Sequence, residues 1–172
     1  MNIRIRVLFL GTKNMDAGWP HHFFDTEKEK ERIKAELIKL QEKIKGIEFF
    51  GWDLLTTEND VNEISWRLDA DGLIISILTS EFASLGPDLF KLLDSGIPAI
   101  IYSNPFSTYW NGSGRLYFEK RKAYVIESPD IGDLLPALKA LKAVSLLNKT
   151  KMLIVTDWKY RKDKYDPRMV EP

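Results

Sequence analysis

The stretch "GLIISILT", residues 72–79, limits what this chain can fold into more than any other part of it. Its polar side chains are Ser76 and the terminal Thr79, so neither face of an extended strand here suits water. Successive side chains of a strand point to opposite faces, and a strand with one wet face alternates apolar and polar residues. A strand apolar on both faces belongs inside a sheet covered on both sides. That is the environment of a parallel sheet with helices above and below it.

The rest of the chain supplies the helices and the other strands. "IRIRVLFLG" opens as a first strand, and "DTEKEKERIKAELIKLQEKIKG" follows with Ile33, Leu37, Leu40 and Ile44 at helical spacing and Gly46 as its stop. Thr26 with Glu29 has the spacing of a capping box. "IEFFGW" reads as a second strand, and a second helix opens at Thr57. After the third strand, "SEFASLGPDLFKLLDSG" is helical up to Gly96, with Gly86-Pro87 as a point of interruption. "IPAIIYS" is the fourth strand and "AYVIES" the fifth, separated by the long excursion "NPFSTYWNGSGRLYFEKRK". Ser128-Pro129 then announces a helix, capped by the serine, with Leu134, Leu138, Leu141 and Leu147 on its buried stripe. "KMLIVTD" follows as a sixth strand.

Strands alternating with helices predict right-handed βαβ units. The fold expected is α/β and doubly wound: an open, mostly parallel, flavodoxin-like sheet of five strands in the order 2-1-3-4-5, with an extra strand at the C-terminal end. Residues 1–149 make up this Rossmann-like domain. Residues 150–172 read as a strand and tail that begin a second domain.

Charge and composition exclude several functions. The 25 basic and 25 acidic residues cancel, so no overall field gathers nucleic acid or an anionic membrane. With no cysteine there is no disulfide framework, thiolate nucleophile or cysteine-bound metal. No stretch reaches the ~18 apolar residues of a membrane span, and the alternating start suits a strand better than a signal peptide. A cytoplasmic protein is expected, with no nucleic-acid or membrane partner.

In open α/β sheets ligands gather beyond the carboxyl ends of the strands, beside the point where strand order reverses. For the expected order that point lies between strands one and three. It brings together "GTKNMDAGWPHHF", including Lys13, and the "TSEF" run with Thr79, Ser80 and Glu81. Each has a plain structural reason to be there. Thr79 and Ser80 are natural helix caps, and Glu81 opens a helix where the dipole favours a carboxylate. The first loop lacks the spacing of a Walker loop or a dinucleotide fingerprint, and Thr12 alone is no phosphate loop. His21-His22 are adjacent and lack partners at ligand spacing, so no metal site is expected in this chain. The excursion after strand four sets Phe106, Tyr109 and Trp110 beside Asn104 and Asn111. Aromatic faces with amide donors suit polyols, whose C–H faces stack on rings while amides bond the hydroxyls.

"DADGLIISILTSEFASLGPDLFKLLDSGIPAIIYSNP" and "SPDIGDLLPALKALKAVSLLNKTKMLIVTD" together resemble the N-terminal region of L-fucose and L-arabinose isomerase-like proteins, over about residues 69–157. The resemblance implies a sugar-related role, and a first Rossmann-like domain followed by a strand entering a second domain. Metal-dependent aldose–ketose isomerisation in that family uses Mn²⁺ held by later domains, so it implies no cofactor in this chain. It also implies a homo-oligomer in which the first domain helps to close a neighbour's site.

The reading that follows is an N-terminal domain or fragment of a sugar isomerase-like protein. It would supply oligomer contacts and recognition of sugar hydroxyls through Trp110, Asn104, Asn111, Thr79, Ser80 and Lys13. Two other functions fit the same residues: a stand-alone sugar- or nucleotide-binding domain without catalysis, and a nucleoside hydrolase or transferase-like enzyme using Glu81.

Overall fold

The computed structural model of the 172-residue chain describes residues 2–12, 24–79, 86–105 and 122–151. Five strands form one parallel sheet: β1 (Ile3–Leu10), β2 (Ile47–Leu55), β3 (Gly72–Ile77), β4 (Ala99–Ser103) and β5 (Ala123–Glu127). Their order is β2-β1-β3-β4-β5, all neighbours parallel, as the sequence predicts. Every residue of the central strand β3 is buried.

Two cores explain why. On one face α1 (Thr26–Glu42) and α4 (Leu134–Lys149) press Ile33, Leu37, Leu40, Leu134, Leu138 and Leu141 onto Ile5, Phe9, Ile74 and Tyr102. On the other, α2 (Glu58–Ser65) and α3 (Gly86–Leu93) bring Val61, Leu89, Phe90 and Leu93 against Leu8, Leu10, Ile75 and Ile101. Residues of β1 and β3 thus supply both cores alternately, as the period of two requires.

Several local expectations are corrected. The cap of α1 is Asp25, whose carboxylate accepts from the Lys28 amide at 3.0 Å. Thr26 is instead fully buried, and its hydroxyl donates to the Thr12 carbonyl at 2.7 Å. The helix expected from Ser128-Pro129 begins later: a 3-10 turn spans Ile131–Asp133, and Leu134 opens α4. Ser128 is occupied elsewhere, accepting from the Asp130 amide and donating to the Asp133 carboxylate. Leu147 is 71% exposed, and Ser145 takes its place in the buried stripe. Ser145 can sit there because its hydroxyl donates to the carbonyls of Asp71 and Leu141, which removes the penalty of an unbonded buried oxygen. Thr57 does cap α2, in a full capping box with Asp60. The sixth apolar run lies outside the described residues.

The outer strand β2 carries a bulge. Its register with β1 steps from Val7↔Gly51 to Leu8↔Asp53, leaving Trp52 as the extra residue. Gly51 and Trp52 have φ of 92° and 63°. A Cβ on Gly51 would meet Arg6 Cγ at 2.8 Å, so only glycine fits. The bulge lays the Trp52 ring edge-on to Phe49, with Lys34 Nζ 5.7 Å from its centroid.

Candidate functional site at the carboxyl ends of the strands

Strand order reverses between β1 and β3: α1 leaves β1 on one face, and α3 precedes β4 on the other. A crevice at the carboxyl ends follows from that divergence. Gly11, Thr12, Thr26, Leu78 and Thr79 form its floor. Backbone bonds hold the floor level, from Gly11 N–H to the Leu55 carbonyl and from Leu78 N–H to the Leu10 carbonyl.

Thr79 is fully buried, and its hydroxyl accepts from the Thr12 amide at 3.1 Å. The Thr12 hydroxyl, half-buried, lies 3.5 Å from the same oxygen. Three threonines therefore tie the end of β1 to the end of β3 and to the first turn of α1. A Cβ on Gly11 would come within 2.9 Å of Thr26 Cγ2 and 3.2 Å of Leu78 Cβ, so the floor closes only over glycine. Thr26 was not legible as a floor residue, because its spacing to Glu29 reads as a capping box.

Of the sequence-predicted contacts, Thr79 stands on this floor as a structural tie, while half-buried Asn104 directly follows β4. Lys13, Ser80, Glu81, Trp110 and Asn111 lie outside the described residues, as do Phe106, Tyr109, His21 and His22. Among the described residues no three histidine or acidic side chains group as metal ligands, and no helix is long and apolar enough to cross a membrane.

A second polar cluster, unforeseen from sequence, lies beside α1 at the same end of the sheet. The Tyr102 hydroxyl donates to the Ser128 carbonyl at 2.9 Å. Burial first, and then the carboxylates of Glu29, Asp130 and Asp133, push its pKa up to about 12 against the pull of Arg32. A phenol so protected stays neutral near pH 7 and serves as a strut, not a base. Arg32 is clamped by both Glu29 oxygens, at 2.7 and 2.8 Å, which raises its already high pKa.

Neither protein-family models nor curated proteins matched this chain when compared with it.

Proposed function

We propose that this chain is the sugar-recognising N-terminal domain of an isomerase-like protein, binding polyol hydroxyls in the β1/β3 crevice and not carrying out metal-assisted chemistry itself. The observation that supports this most is the reversal of strand order over a floor of hydroxyl side chains, with an amide side chain, Asn104, at the end of the next strand. Thr79 and Thr26 are committed to holding that floor. The half-buried side chains of Thr12 and Asn104, at the ends of β1 and β4, are the hydroxyl and amide this reading places against a ligand. Trp110, Asn111, Lys13 and Ser80 are the further contacts this reading draws from the sequence.

The experiment is a thermal-shift and calorimetric titration of the 172-residue chain against aldoses and ketoses, L-fucose and L-arabinose included, with acyclic polyols alongside. Saturable stabilisation is expected. Thr12→Val, Asn104→Leu and Trp110→Ala should each weaken binding by roughly 10-fold, about 1.4 kcal/mol, the scale of one lost hydrogen bond or ring contact. A chain that no sugar stabilises, or variants that bind as wild type does, would end this reading.

A further inference from the structure

Helix α4 carries two apolar faces, and the fold uses only one. Leu134, Leu138, Leu141 and Ser145 are buried against the sheet. About 110° round the helix, at ~100° per residue, Pro136, Ala137, Ala140, Val144 and Leu147 form a second stripe about three turns long. Most of that stripe lines a groove of about 820 Å³ between α4 and the outer strand β5, floored by Ile100, Tyr124 and Ile126. Tyr124 is 64% exposed and Val144 43%. With Leu147 they are three of the five large apolar side chains left exposed among the described residues. An apolar patch so concentrated marks an interaction surface.

Two features say what covers it. The groove has opposite charges at its ends, Lys122 where β5 begins and Asp133 where α4 begins. Helix α4 runs against the strands, since it starts just past the end of β5 and its last turns reach Asp71, which precedes β3. A second α4 lying antiparallel on this stripe therefore brings its own Asp133 to the Lys122 end, and the exchange is reciprocal.

We infer that the α4/β5 face is a self-complementary interface, on which two copies pack about a two-fold axis near Ala140. Small side chains at Ala137, Ala140 and Ala143 let the helices approach closely. Pro136 meets the partner's Val144, and Asp133 pairs with the partner's Lys122. An isologous contact of this kind closes at two copies. The inference does not depend on the sugar reading, because the groove and the crevice share no residue.

The whole chain contains no native cysteine, so a single introduced one reports cleanly. Sedimentation analysis should find a concentration-dependent dimer. Ala140→Cys should form a disulfide-linked dimer under mild oxidation, while Lys139→Cys, one residue round the helix, should not. Val144→Glu should weaken self-association by roughly 10-fold or more with the circular dichroism and melting transition retained. Lys122→Glu should weaken it as well. A monomer at all concentrations, equal cross-linking from both cysteines, or a dimer indifferent to Val144→Glu would each overturn the inference.

Discussion

Removing the hydroxyl of Thr79 and, separately, that of Ser76 takes one buried oxygen from each of two positions three residues apart, with opposite expected results. Both side chains are fully buried. The Thr79 oxygen accepts from the Thr12 amide at 3.1 Å. The Ser76 oxygen, between Phe9 of β1 and Tyr102 of β4 in register, has no hydrogen-bond partner among the described residues. Thr79→Val keeps the volume but deletes the acceptor and strands the Thr12 amide. Thr12 is half-buried, so water recovers part of the loss, leaving about 1–2 kcal/mol of destabilisation. Ser76→Ala breaks no bond and removes a hydroxyl whose unbonded burial costs about 1–3 kcal/mol. The contacts of one lost oxygen atom offset part of this, so a net gain of about 0.5–1.5 kcal/mol is expected. For a chain of this length each kcal/mol moves Tm by about 2–4 °C. Thr79→Val should therefore melt ~3–6 °C lower, and Ser76→Ala a few degrees higher. Urea unfolding followed by tryptophan fluorescence separates the two if the m-value stays constant. Destabilisation of Ser76→Ala by more than about 1 kcal/mol, or no effect from Thr79→Val, would refute the hydrogen-bond accounting at the crevice floor.

Three other perturbations have definite signs. Gly72→Ala places a Cβ 2.9 Å from Leu141 Cδ2 and 3.1 Å from its Cγ; the overpacking should cost about 1–3 kcal/mol in the same unfolding assay. Tyr102 has its pKa raised to about 12 by burial, so its contribution is full below about pH 10 and is lost as pH rises through the folded value. Tyr102→Phe should be less stable by about 1 kcal/mol at neutral pH yet lose less stability between about pH 9 and pH 11, which paired melts at the two values will show. Burial works to raise the Asp71 pKa, but Lys149 together with the Arg4 amide and charge outweigh it and hold it below the usual range. A lowered carboxylate stabilises at neutral pH and stops doing so as pH falls through its folded value. Lys149→Met should therefore flatten the loss of stability below about pH 4, as acid titration of the melting temperature will reveal.

Most of the sheet was legible because the signals were local and redundant. Apolar runs gave all five strands, and the helical spacing of Ile33, Leu37 and Leu40 gave α1, which ends at Glu42, short of the expected stop at Gly46; Ile44 is buried beyond the helix, and Gly46, with φ of 78°, turns the chain into β2. What stayed hidden depended on partners distant in sequence. Ser145 is polar by composition and is tolerated in the core because its hydroxyl donates to the Asp71 carbonyl, 74 positions away, as well as to that of Leu141. Thr26 resembles a cap until the Thr12 carbonyl claims it. The bulge hid the far end of β2: "IEFFGW" reads as ending at Trp52, yet the strand resumes pairing from Asp53 through Leu55 once Trp52 is stepped over. At the crevice, sequence reasoning located the switch point and Thr79. The bond from the Thr12 amide to the Thr79 hydroxyl was not legible there, because its donor lies 67 positions away.

The bulge at Gly51 and Trp52 also bears on how copies of this chain can accumulate. A sheet with two straight borders invites stacking of border upon border, β5 of one molecule on β2 of the next, and that operation repeats without limit. Here the β2 border is kinked by two consecutive left-handed residues and cannot present an even row of amides and carbonyls to an incoming strand. One side of the molecule thus acts as a chain terminator. At the high concentrations where open-sheet proteins gel or form fibres, growth along the sheet should stall after a single addition, and Gly51 is the residue on which that protection rests.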